Sequence, residues 1–183
     1  MGSSLVPHVR ASNALTGRWC ATFGGEDAVV SGAGLWPLLA VLAGAASGRA
    51  RDELAAAVGI AADQAHAAGL ALLKSLDTSR EVSTAIEAWV RAGLTLREEW
   101  VRSMPAGTVG ELGDPAAINL TGVPRKTWST ITAVDIDRPF GFLAVDRPTG
   151  LVLVAGQVTK PPVEWTRPVR DEPTAPRNPG APW

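Results

Sequence analysis

Two histidines, His8 and His66, and a single cysteine, Cys20, are all the imidazole and thiol this chain has. A catalytic thiol needs an imidazole beside it, and a structural zinc site needs four ligands of this kind. Neither set can be assembled from three residues so far apart in sequence. Cys20 reads instead as a small buried hydrophobe on a helix, and one cysteine cannot form an internal disulfide. Ser31 stands among glycines, in Ser31-Gly32-Ala33-Gly34. No Gly-x-Ser-x-Gly elbow surrounds it, no histidine is placed to serve as its base, and no Gly-Lys-Ser/Thr follows to make a phosphate loop. The carboxylate pairs Asp52-Glu53 and Glu98-Glu99 are adjacent in sequence. Neighbours on a helix point about 100° apart, so neither pair can work as an acid–base dyad. The chain is expected not to be an enzyme and to carry no metal and no cofactor.

Charge adds little. Of 183 residues, 17 are Lys or Arg and 18 are Asp or Glu, a net charge of −1, so no polyanionic partner is indicated and no nucleic acid is expected. The step Arg125-Lys126 reads as solvated surface. The apolar stretch from Leu35 to Ala46 is too short to span a bilayer and contains Pro37, so no membrane association is expected. Residues 1–10 lack the long apolar run of a secretory signal, which points to the cytoplasm. Asn119-Leu120-Thr121 matches a glycosylation sequon, with no such signal to support its use. The seven tryptophans are scattered and read as core and surface anchors.

The elements that would position these residues follow from periodicity and punctuation. Residues 1–10 are expected to be a flexible N-terminus, and residues 11–22 a short helix capped by Ser12 and ended by Gly24-Gly25. Asp27 to Ser31 is a short apolar strand. From Leu35 to Ala46 apolar residues run nearly all round, as in a helix buried in a core, with Pro37 in its first turn. Residues 50–58 form a helix stopped by Gly59, and Asp63 opens another with Leu70, Leu73 and Leu76 at helical spacing. Residues 82–91 carry β-formers, Leu96 to Met104 reads as a helix stopped by Pro105, and 107–135 as an irregular loop region. Phe140 to Val145 and Leu151 to Val158 are apolar runs separated by Asp146-Arg-Pro-Thr-Gly150, the strongest hairpin signal in the chain. Residues 162–183 are Pro-rich and expected to be disordered. The order, helices first and strands last with one early strand between helices, predicts an α+β fold.

Two segments together resemble the serpin family. In the first, VSGAGLWPLLAVLAGAASGRARDEL, Val30 to Leu54, Ser31 falls on the family's serine at the end of an early strand, and Leu35, Leu39 and Leu42 on core positions of the helix after it. Gly48 falls on the turn glycine and Glu53-Leu54 on a Glu-Leu pair. In the second, DRPFGFLAVDRPTGLVLVAGQVTKP, Asp137 to Pro161, the residues Pro139, Phe140, Phe142, Gly150, Gly156, Val158 and Pro161 match the family's closing hairpin, and Ala155 departs from its usual large apolar residue. A third stretch, Val82 to Asp114, is similar to the family's central strand, the helix after it and the next short strand. The resemblance implies a serpin-like domain over 11–161, shortened through its middle. Its N-terminal helices would pack on a small antiparallel sheet made by the early strand and the hairpin. Ser31 would be a structural residue of the hydrogen-bonded region beneath the sheet.

The resemblance also implies a place among serine-type endopeptidase inhibitors, whose mechanism is conformational: a cut reactive loop inserts as a new strand into a large central sheet. Counting back from Pro139-Phe140 by the family's spacing puts a reactive bond at Trp128-Ser129, an aromatic site suited to a chymotrypsin-like protease, with Arg125 and Lys126 nearby for a trypsin-like one. The alternative is a linker whose Trp128 packs on the body. A hinge is imitated by Glu111, Gly113, Ala116 and Ala117, but Pro115 would remove a donor from an inserted strand and Ile118-Asn119-Leu120 is not small. The competing reading of Gly113 to Asn119 is a strand-to-helix junction. With hinge and central sheet incomplete, the expectation is a serpin-like protein that inhibits weakly or not at all. The alternative is a protein–protein interaction module on a residual serpin core. The expected partner is a serine protease or another protein, and family resemblance makes an extracellular setting the alternative to the cytoplasm.

Overall fold

The computed structural model describes residues 5–78, 82, 84, 86–112 and 138–160, with Glu111 and Leu112 described by their backbone. Helix α1 spans Val6–Cys20, strand β1 Ala28–Val30, helices α2 Gly32–Ala45, α3 Gly48–Val58 and α4 Ala62–Asp77, strand β2 Ala88–Arg91, helix α5 Glu98–Ser103, and strands β3 Val109–Leu112, β4 Phe140–Asp146 and β5 Leu151–Val158. The fold is α+β, with helices on a small antiparallel sheet of order β1-β5-β4.

The expected pairing of the early strand with the C-terminal hairpin holds. Val30 lies opposite Ala155 and Val29 opposite Gly156, and on the other side of β5 Phe142 faces Gly156 and Leu143 faces Ala155. Gly156 is required there. A Cβ would lie 2.7 Å from the Ala28 carbonyl oxygen and closer still to the Phe142 ring. The inner face of the sheet meets the helices in a cluster built on Trp36, Val58, Leu72 and Leu151, all essentially inaccessible to solvent. Trp36 lies in α2 and satisfies its indole N–H by donating to the Val58 carbonyl at 2.9 Å, so a large apolar side chain is buried with no orphaned donor. Helix α4 crosses α2 closely because Gly69 faces Pro37 and Ala40; a Cβ there would sit 3.0 Å from the Pro37 carbonyl oxygen. A second cluster, Val41, Ile86, Trp100 and Met104, ties the β2-α5-β3 unit to the other flank of α2.

Several boundaries differ from the sequence reading. The flexible N-terminus expected over 1–10 gives way, for residues 6–10, to the first turns of α1. Pro7 fits a helix start, where its missing N–H costs nothing, and Val9 is buried. Ser12 is therefore no cap: it lies within the helix, fully buried, where α1 crosses α2. Helix α2 begins at Gly32, three residues before the expected Leu35, so Pro37 is interior rather than in the first turn. A proline there forgoes one intrahelical hydrogen bond, and tertiary burial of an almost wholly apolar helix outweighs that loss. The strand sought over 82–91 is confined to Ala88–Arg91. Within 107–135, residues 109–112 form β3, parallel to β2 with Gly110 opposite Trp89. Val-Gly-Glu-Leu carries no alternation that would betray a strand. The Trp89 ring covers Gly110 so closely that a Cβ would come within 2.8 Å of it, so the pairing is tertiary in origin. Residues 162–183, the Pro-rich tail, lie outside the described residues.

Candidate functional site

Ser31 is where local sequence and long-range structure meet. Its extended backbone (φ −132°, ψ 99°) makes it the N-cap of α2. Its Oγ accepts from the Gly34 N–H at 3.1 Å and donates to the Leu153 carbonyl at 2.6 Å. The single hydroxyl proton is thus directed to β5, with the helix start bound behind it. That hydroxyl is a strut between α2 and the sheet.

Three further polar clamps hold the same hairpin against the N-terminal part of the chain. The Asn13 side chain in α1 donates to the Gly150 carbonyl at 2.9 Å and accepts from the Val152 N–H at 2.8 Å, fixing the turn end of β5. At the other end, the Gln157 amide donates to the Gly24 and Glu26 carbonyls. The Asp27 carboxylate accepts from the Thr159 N–H and Oγ at 2.7 and 2.8 Å. Those hydrogen bonds from Thr159, backbone first, hold the Asp27 carboxyl below its ordinary 3.8. Sequence reading missed Asn13 and Gln157, because their partners lie more than 130 residues away.

Beside Ser31 opens a cleft of ≈ 310 Å³, walled by Pro37, Leu38, Leu76, Ile86 and Leu153. Its lining is apolar, and its nearby hydroxyls are engaged: Ser31 as above, and Thr84 through a 3.2 Å bond to the Leu73 carbonyl. Leu38 and Leu42, one turn apart on α2, are exposed along this side.

The other expected positions that the structure describes are scattered over the fold. Gly48 opens α3 with φ +53°, a left-handed value that favours glycine. Glu53 forms an exposed pair with Arg49 at 2.7 Å one turn before it. Leu54 packs partly buried on the main cluster. Pro139 precedes β4, Phe140 and Phe142 lie in it with ring centroids 6.4 Å apart, and Gly156 faces Phe142 from β5. The reactive-bond residues Trp128 and Ser129, the hinge residues Gly113, Ala116 and Ala117, and Pro161 lie outside the described residues. Glu111 has its backbone in β3.

One chemically suggestive pair was not foreseen: the Ser103 Oγ and the His66 Nε2 lie 2.8 Å apart. The Ser103 hydroxyl, however, donates to the Trp100 carbonyl at 2.6 Å, so imidazole must donate to Oγ rather than take its proton. His66 Nδ1 is buried without a partner, so no third group orients the ring as a base. The pair ties α4 to α5. Nearby, Arg97 donates to the Gly44 and Ala45 carbonyls at the C-terminal end of α2 and satisfies groups that the helix leaves open. Cys20, at the end of α1, is a free thiol. Among the described residues no cluster of three or more metal-binding side chains occurs, and no single helix is long and apolar enough to cross a membrane.

No protein-family model, no curated protein and no solved structure matches the chain.

Proposed function

We propose that the chain is a shortened serpin-like protein, related by resemblance to the serine-type endopeptidase inhibitors but non-inhibitory. The observation that carries this reading is the union of its two most serpin-like segments. The strand ending at Ser31 pairs with the hairpin 140–158, and the helix that Ser31 caps lies behind them. The order β2, α5, β3, with β2 and β3 parallel, further supports it, since the resemblance places a central strand, a helix and a short strand there.

The non-inhibitory part rests on the interval between β3 and β4. Inhibition by loop insertion needs both an exposed loop and a broad sheet to receive it. Residues 113–139 are all that separates β3 from β4, and that interval is too short to supply both. Incubation with chymotrypsin-like and trypsin-like proteases, followed by denaturing electrophoresis, tests this. Cleavage without an SDS-resistant covalent complex is expected; a stable complex in which the protease remains acylated contradicts it.

A second reading, a protein–protein interaction module on the same core, is favoured by one observation. Among the described residues strand β4 has β5 on one side and no strand on the other, and an edge of that kind can take up another chain. A partner captured through that edge should be lost when a charge is introduced into β4.

A further inference from the structure

At the C-terminal end of α2 a cleft of ≈ 230 Å³ opens among α3, α4 and α5. Charge enters it from every side. Arg51 comes from α3, Arg97 from the residue before α5, Asp63 from the first turn of α4 and Glu99 from the first turn of α5. The two guanidinium groups are anchored by backbone. Arg97 Nη2 donates to the Gly44 and Ala45 carbonyls, and Arg51 Nη1 donates to the Ala43 carbonyl at 3.5 Å. Three successive carbonyls thus gather two cations, as the negative end of a helix favours. Each fork keeps an Nε–H and a second amino group for which the described residues supply no acceptor. Asp63 and Glu99 line the same small cleft, yet neither forms an ion pair with either arginine. The arginines are tied to α2 and the carboxylates stand on two other helices, so the two signs are held apart across the cleft.

A lone anion there would stand beside two carboxylates, and a lone amine beside two guanidinium groups. Among the described residues no set of three or more side chains converges as metal ligands, Asp63, His66 and Glu99 included. A molecule with one charge of each sign satisfies both halves. We propose that the cleft binds a small zwitterion of the α-amino acid class. Its carboxylate lies on the free edges of the Arg51 and Arg97 forks, the planar geometry that suits a carboxylate. Its ammonium lies between Asp63 and Glu99. An α-amino acid with one hydrogen bond at each charged end spans roughly 8 Å between host groups, comparable to the width of a cleft of this size. The volume falls below that of drug-sized sites, so the ligand's side chain is small. The rings of His66 and Trp100, 6.3 Å apart, give its carbon skeleton a less polar wall. The site does not depend on the serpin-like reading.

Titration of the full, isotope-labelled chain with L-alanine, acetate and methylamine tests it, read from the Trp100 indole N–H and Arg97 Nε–H resonances. Alanine should give a saturable shift with a Kd of about 1 mM, as its few atoms allow. Acetate and methylamine, each carrying half of its charges, should bind about tenfold more weakly or worse. Asp63→Asn and Glu99→Gln, both at exposed positions, should each weaken alanine about fivefold with circular dichroism unchanged. Arg97 also holds the end of α2, so the cationic half is tested at Arg51, where Arg51→Gln should weaken alanine and acetate alike. The absence of a saturable shift with alanine overturns the proposal. So does acetate or methylamine binding as tightly as alanine, and so does alanine binding that is indifferent to Asp63→Asn and Glu99→Gln.

Discussion

Removing one oxygen at Ser31 would open two contacts at once. Ser31→Ala deletes the cap on the Gly34 amide and leaves the Leu153 carbonyl without its donor. A lost N-cap costs about 1 kcal/mol and a part-buried carbonyl left unpaired about as much again. We expect chemical denaturation to show a loss of about 2 kcal/mol, with Ser31→Thr retaining most of it. Asp27 behaves differently because it is exposed. Its folded pKa is depressed, so its contribution is present above the ordinary 3.8 and is lost as pH falls from there through the lower folded value. Asp27→Asn should therefore flatten the acid limb of the stability–pH curve below about pH 4 and leave the neutral region parallel to that of the natural chain. An unchanged acid limb would show that the Thr159 bonds are not made in solution. The glycine setting of Ser31 and its strand-end position were legible in sequence. The Leu153 carbonyl was not, because it accepts from Ser31 across 122 residues, and no local pattern encodes such a partner.

The elements were read best where periodicity and punctuation agreed. The hairpin was found to within a residue: apolar runs flank a turn closed by Gly150 at φ +72°. Helix α3 ends as read, at Gly59 with φ +73°. Failures fell where tertiary contact overrides local preference. Pro37 sits inside α2 because burial of the helix outweighs one forgone hydrogen bond, and β3 exists because Trp89 packs over Gly110. The stretch Val82 to Glu87 has strand-forming side chains but no ladder partner among the described residues, so composition alone misplaced its start. Two element-scale substitutions probe the joints. Asn13→Ala should free the turn end of β5 and cost about 1–3 kcal/mol by leaving the Val152 amide and the Gly150 carbonyl unpaired. Gly156→Val should cost more, about 3 kcal/mol or above, by forcing β1 and the Phe142 ring away from β5. Amide exchange in β1 should accelerate in the Gly156 variant before that in α4 does.

For the whole molecule, the arrangement is a closure problem. A strand near residue 29 and a hairpin near residue 150 must meet, and the ordering entropy of that loop is offset by a core centred on Trp36, Leu72 and Leu151 and by the clamps at Asn13, Ser31 and Asp27. The candidate reactive-bond residues Trp128 and Ser129 and the hinge candidates Gly113, Ala116 and Ala117 fall in the interval between β3 and β4, whereas Glu111 has its backbone in β3. The most direct test is the melting temperature of the intact chain against the chain nicked by a chymotrypsin-like protease at Trp128-Ser129. Strand insertion would raise it by more than about 10 °C, corresponding to at least about 2 kcal/mol of new stability. A serpin-like core without the insertion mechanism predicts a nicked protein that melts at the same temperature or lower. A nicked protein that gains more than about 10 °C would contradict it.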